Sequence, residues 1–279
     1  MGGLAVGQWL LEPWRYDFMV QALAVGALVG LVCGALSCLV TVRGWALLGD
    51  AVSHAVTPGI VLAYGLRWPL VLGALGFGLG AVWLMGWLQQ HTRLREDTVI
   101  GVVFTGFFAL GLVLVSRTPG SVELQHVLFG NLLGMGAAQV WQTVVIGGVT
   151  LGIVLARRRD LLLCCFDPVY ARTIGLQVER LQYLLLTLLA LTIVVAMQAV
   201  GVVLVVAMLV TPGATAALVT RGFDAMVLGA MGVGVAASVL GTYTSYYLDA
   251  STGGCIVLAQ TLLFFGALGL KGVLKIGRS

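Results

Sequence analysis

Charge is almost absent from this sequence, and that scarcity decides what the chain can become. Apolar stretches follow one another from about residue 17 to residue 270, and the short segments between them hold nearly all of the Lys, Arg, Asp and Glu. Charged residues make up 9% of the 279 residues, where a soluble domain carries about 25%. Helices so poor in charge have no side to show to water, whereas a bilayer core of roughly 30 Å accepts about 20 apolar residues per helix. The composition excludes a soluble enzyme, and it excludes a nucleic-acid binder despite the net charge of +4. Polar low-complexity sequence is also missing, which excludes disorder. The fold class is all-α: a polytopic membrane bundle in a single transmembrane domain, residues 1–279.

Nine stretches meet the length, at about 17–42, 45–66, 69–90, 98–116, 137–156, 178–198, 200–220, 225–247 and 251–270. The break at Met197-Gln198-Ala199-Val200-Gly201 is the weakest, and a re-entrant segment there reduces the count to eight. With the N-terminus outside, only Arg15, Arg67 and Arg117 of the 15 Lys and Arg face outward. The excess of basic residues inside predicts N-out, C-in. No cleavable signal peptide is expected, because the residues up to Arg15 lack a basic leader and are broken by Glu12 and Pro13. Gly26, Gly30 and Gly34 form one smooth stripe, and Gly76 and Gly80 another, so close helix packing is expected there, with a sliding interface as the alternative.

Asp50 and His54 are the exceptions to the exclusion of charge. They lie inside the second stretch, four residues apart and hence on one helix face, with Ser53 beside them. Counted from Arg43, the pair lies on the order of 10–17 Å deep. An ionised carboxylate there costs about 2.5–3.5 kcal/mol on insertion scales. The bland reading is a mutually satisfied hydrogen bond. The functional reading is a pair of ligands, hard oxygen plus borderline nitrogen, for Mn²⁺, Fe²⁺ or Zn²⁺. Pro58-Gly59 loosens the helix one turn later. Two ligands do not hold a divalent ion alone, whereas two copies about a two-fold axis supply four ligands and two negative charges.

Other polar groups are weaker candidates. Glu123 and His126, within an expected short interfacial helix from Glu123 to Leu133, have metal-ligand spacing. Asp249, Ser251 and Thr252 read as caps, Thr211-Pro212 as a bend, and Gln198 as an interhelical hydrogen bond. Cys33, Cys38 and Cys255 lie in apolar runs and Cys164 and Cys165 are adjacent, with no C-x-x-C pair, so no zinc knuckle or disulfide framework is expected. Between Phe166 and Leu176, Asp167 is a good N-cap, Pro168 suits the first helical position, and Gly175 ends the helix. That gives a two-turn helix on the inner side, with Phe166, Val169, Tyr170 and Ile174 as apolar anchors and Arg172 among them. It either lies on lipid or pegs into a cytoplasmic partner.

These blocks together resemble the membrane permeases of metal-ion ABC importers for manganese, zinc or iron. The resemblance runs from about residue 17 to 271. It rests on the run from Arg43-Gly44-Trp45 through Asp50-Ala51-Val52-Ser53-His54 to Pro58-Gly59, then Glu96-Asp97-Thr98-Val99-Ile100-Gly101 and Leu128-Phe129-Gly130-Asn131. Phe166-Asp167-Pro168 and the segment from Ala199-Val200-Gly201 to Leu209-Val210-Thr211-Pro212 complete it. It implies a homodimeric permease of a prokaryotic cell membrane, two cytoplasmic ATPase subunits that bind the ATP, and an extracytoplasmic metal-binding protein. It also implies that Asp50 and His54 lie on the ion path and that residues 166–176 form the coupling helix, with Phe166, Asp167, Pro168, Val169, Tyr170, Arg172, Ile174 and Gly175 as its parts. The pattern leans toward manganese. No cofactor of its own is expected.

The chain fits that division of labour. It has no G-x-x-x-x-G-K-[ST] loop to cradle ATP phosphates. It lacks H-E-x-x-H, against an intramembrane zinc protease, which needs three protein ligands and an open water position. An ion-coupled secondary transporter or channel is the remaining alternative. Such folds show inverted repeats or several intramembrane charges, and here there is one acidic position.

Overall fold

The computed structural model describes residues 16–117 and 132–276. Its helices are α1 (Asp17–Arg43), α2 (Leu48–Ala55), α3 (Thr57–Gly65), α4 (Leu70–His91), α5 (Glu96–Arg117) and α6 (Ala137–Ala156). They continue with α7 (Arg158–Phe166), α8 (Pro168–Thr173), α9 (Val178–Val200), α10 (Val202–Val219), α11 (Phe223–Leu248) and α12 (Thr252–Ile276). Among the described residues there is no strand. Glu123, His126 and the Leu128–Asn131 block lie outside the described residues.

Among the described residues, eight helices are long and apolar enough to cross a membrane: α1, α4, α5, α6, α9, α10, α11 and α12. The second apolar stretch is not one of them, because it is interrupted at Val56 into α2 and α3. Pro58 has no N–H to give to the carbonyl of His54 four residues back, so a continuous ladder is impossible there. The pair nevertheless carries the chain across. Arg43 at the end of α1 is ion-paired with Glu96 at the start of α5, so those two ends share one side of the bundle. The single helix α4 lies between them, and α2–α3 must supply the return passage. The break expected near residue 197 is a simple turn at Gly201 (φ 84°) between two spanning helices. The interruption thus falls on the stretch that carries Asp50 and His54.

A second ion pair, Arg158–Asp224 at 3.2 Å, gathers the starts of α7 and α11 at the same arginine-rich end. At the opposite end the Gln21 amide donates to the Met135 carbonyl at 3.1 Å. The helix expected between Phe166 and Leu176 forms as α8, and a second short helix, α7, precedes it.

The core forms around α1 and α9, whose most apolar stretches are 78% and 72% buried, against 11% for α12. Gly30 of α1 faces Gly234 of α11 so closely that a Cβ on Gly30 would stand 2.5 Å from the Gly234 carbonyl oxygen. Gly34 meets Ala230 in the same way. The stripe in α1 is therefore a packed seam and not an open sliding face. The stripe in α4 differs, since nothing lies within 4 Å of a Cβ placed on Gly76 or Gly80. Farther along α1, Ser37 repairs the backbone that Pro212 disrupts inside α10. Its hydroxyl donates to the Val210 carbonyl (3.1 Å) and accepts from the Gly213 N–H (2.8 Å). In lipid no water can take over those groups, and neighbouring hydroxyls do so instead.

The two glycine stripes separate experimentally. Gly30→Leu drives a side chain into the α11 backbone and is expected to abolish the monodisperse, detergent-extracted protein seen by size-exclusion chromatography. Gly76→Leu meets open space and leaves folded yield near wild type.

Candidate metal site and docking helix

Gly44 (φ 80°) ends α1 and turns the chain, and α2 starts four residues later. On this short helix the i, i+4 spacing brings Asp50 and His54 together as expected, with Oδ1 and Nε2 3.5 Å apart. That is an ion-pair contact longer than a good hydrogen bond of about 2.7–3.2 Å, so the pair is not locked to itself. Ser53 takes no part: it is buried, and its hydroxyl donates to the Gly49 carbonyl at 2.8 Å. The small face of α2 at Gly49 packs on Leu209 of α10.

Within the single chain the Asp50 side chain is 47% exposed and that of His54 36%. Both sit on a face that the described residues cover only in part. The covered side of His54 is aromatic: Phe108 meets its ring nearly edge-on at 5.2 Å between centroids, and Phe104 lies at 5.7 Å. Phe104 and Phe108 stack on each other along α5. The sequence reading missed these two, although their i, i+4 spacing was a legible signal.

Among the described residues, no three His, Cys, Asp or Glu side chains gather where they could hold a metal ion. The described residues bring two such side chains together here, Asp50 and His54, both partly exposed. The cysteines add nothing. Burial pushes the thiols of Cys164 and Cys165 up, the latter to about 12, with nearby arginines offsetting the shift only in part. Neither offers a thiolate near neutral pH. At the end away from the arginines, a cavity of about 440 Å³ is lined by Gln139, Gln142 and Gln198 and by Ile60 of α3. Gln198 thus lines a cavity. Asp249 ends α11 through its own backbone (φ 50°), and the Thr252 hydroxyl accepts from Ser245 at 3.1 Å.

The second predicted feature forms as expected. The Asp167 carboxylate accepts from the N–H groups of Val169 (3.0 Å) and Tyr170 (2.9 Å) at the start of α8, and Pro168 occupies its first turn. Ile174 follows α8, and Gly175 then adopts φ 85°. The N–H groups of Gly175 and Leu176 return to the carbonyls of Arg172 and Ala171, which closes the helix with paired backbone bonds. Both ends of this short helix are therefore satisfied. Phe166 (79% exposed), Val169 (71%), Tyr170 and Ile174 are exposed. Val169 also borders a cavity, which Arg172, Pro168, Arg43 and Glu96 line with it.

With this geometry, the chain compares closely with known membrane proteins. A family model described as the ABC 3 transport family matches residues 15–271. The manganese transport system membrane protein MntB of Synechocystis sp. is 53% identical over 93% of this chain and 85% of its own length. The chelated iron transport system membrane protein YfeD of Yersinia pestis is 51% identical over 92% of this chain and 86% of its own. The solved structure of PsaBC from Streptococcus pneumoniae in complex with Fab superposes with a TM-score of 0.82 at 35% identity. It covers 94% of this chain and 95% of that chain.

The cap of α8 can be tested directly. Asp167→Ala removes the acceptor for two N–H groups, at about 1 kcal/mol for a typical N-cap. The amides of Val169 and Tyr170 are expected to exchange with deuterium several-fold faster, while those of α9 stay unchanged.

Proposed function

The chain belongs to the ABC 3 transport family, and from that premise we propose that it is the membrane permease of an ATP-driven metal importer. It carries a divalent transition-metal ion into the cytoplasm by alternating access. The observation behind this reading is the Asp50–His54 pair, held four residues apart on an interrupted helix with its open side outward. A carboxylate on such a face costs several kcal/mol in lipid, so another protein surface has to cover it. A second copy of the chain does so and brings the missing ligands. Two carboxylates and two imidazoles then surround one ion, and the carboxylates neutralise its charge. Oxygen and imidazole nitrogen suit Mn²⁺ and Fe²⁺, the metals of the manganese and iron systems to which the chain is similar, and Zn²⁺ as well. Manganese is the foremost candidate.

The rest of the machine follows from the two ends of the bundle. The arginine-rich end faces the cytoplasm by the positive-inside rule, which places the N-terminus outside and the C-terminus inside. There α8 offers Phe166, Val169, Tyr170 and Ile174 to a groove on each of two ATPase subunits, which bind and hydrolyse the ATP. At the other end an extracytoplasmic metal-binding protein delivers the ion. The permease itself carries no ATP-binding loop.

Asp50→Asn keeps the shape and removes the neutralising charge. Mn²⁺ uptake into proteoliposomes is expected to fall to background while the ATPase subunits still co-purify. Uptake at the wild-type rate would refute the site. Tyr170→Ala and Val169→Pro should lower ATPase association or stimulated hydrolysis and leave Mn²⁺ binding in detergent intact. If both variants transported normally, α8 would be only a lipid-surface helix.

A further inference from the structure

Two sequence blocks that the pair and α8 leave without a role, Arg43-Gly44-Trp45 and Glu96-Asp97, meet at one point in the fold. The turn at Gly44 sends the Trp45 N–H back to the Val40 carbonyl and drops the indole into the core, 1% exposed. A buried indole N–H needs an acceptor, and Glu96 supplies it with Oε2 while Oε1 accepts from Arg43. The Arg43 guanidinium also lies over the Trp45 ring, 5.4 Å from its centroid. Glu96 is the first residue of α5. One carboxylate therefore fastens α5 to the turn from which α2 departs. Asp50 and His54 ride on α2, and the rings that support His54 ride on α5. Both supports of the pair converge on Glu96.

The other side of this junction faces α8. A cavity of about 370 Å³ has Arg43, Trp45 and Glu96 on one wall and Pro168, Val169 and Arg172 on the other. The Arg43 Nε is buried there and has no hydrogen-bond partner among the described residues.

We propose that Arg43, Trp45 and Glu96 are positioning residues forming a latch, which moves α2 and α5 together and passes displacement of α8 to the Asp50–His54 pair. The inference rests on the reading of α8 as the ATPase contact and of the pair as the ion site. Neither that reading nor the pair itself requires a latch.

The test uses the complete transporter, permease with ATPase subunits and binding protein, in proteoliposomes with Mn²⁺ as the probe. Uptake and ATP hydrolysis are read in the same vesicles. Glu96→Gln removes the charge, and Trp45→Phe removes the N–H donor while keeping an aromatic ring. Each variant should still hydrolyse ATP, but Mn²⁺ moved per ATP should fall by about tenfold, as expected when a charge-assisted hydrogen bond leaves a coupling element. Arg43→Lys keeps the charge and should retain more coupling than Glu96→Gln. A wild-type ratio in both Glu96→Gln and Trp45→Phe overturns the latch. So does a parallel loss of uptake and hydrolysis at constant ratio, which marks a structural lesion only. If Glu96→Gln does not assemble, the ratio in Trp45→Phe decides alone. The underlying reading fails separately, if wild-type vesicles take up no Mn²⁺ when ATP is supplied.

Discussion

A carboxylate within a membrane must be neutralised, and among the described residues Asp50 pairs with His54 alone, at 3.5 Å and with both side chains half-open. The surrounding structure makes sense as the means of presenting that pair. Pro58 forbids a continuous helix, so the passage is made by two short helices, and the pair sits on the first of them just before the break. Gly49 lets this helix lie against α10, Ser53 is turned inward to its own backbone, and Phe104 and Phe108 stand behind the imidazole. What remains uncovered is the side bearing the carboxylate and the ring. On the proposed reading a second copy closes it, and the ion replaces the neutralisation that one chain lacks.

The remainder of the bundle is built not to yield. In lipid, apolar burial does not distinguish a neighbouring helix from an acyl chain, so close backbone approach and hydrogen bonds hold helices together. Gly30 against Gly234 and Gly34 against Ala230 provide the first, and Ser37 bridging the Pro212 bend provides the second. These contacts tie α1 to α10 and α11 into one packed body. Gly59 and Gly73 cross with equal closeness between α3 and α4. The places with room are elsewhere: the cavity beside α8 and the cavity lined by Gln139, Gln142 and Gln198 at the opposite end. On the proposed reading, a packed body with a cavity toward each end, and Asp50 and His54 on a broken helix between them, suits alternating exposure of a site better than an open pore.

Much of this was legible in the sequence because lipid is a severe solvent. Length and the absence of charge mark every long helix, and eight of the nine apolar stretches became single spanning helices. Asp50 and His54 stood out because no other acidic residue or histidine lies deep inside an apolar run. The caps of α8 were readable residue by residue, since Asp167, Pro168 and Gly175 each satisfy a local backbone requirement. What could not be read depended on contacts far apart in the chain. Depth in the membrane does not say which face an eight-residue helix turns to its neighbours, because tertiary packing sets it. The glycine stripes of α1 and α4 look alike in sequence, yet one is a packed seam and the other open. The meeting of Arg43 and Trp45 with Glu96 links residues about fifty apart, which no local pattern announces.

The central claim is that two chains share one ion through Asp50 and His54. Its most direct test is the binding stoichiometry of Mn²⁺ on the purified permease in lipid nanodiscs, measured together with the number of chains per disc. The account predicts one high-affinity Mn²⁺ for every two chains, in discs that hold two. Saturation at one Mn²⁺ per chain, or tight binding in discs that hold a single chain, would contradict it.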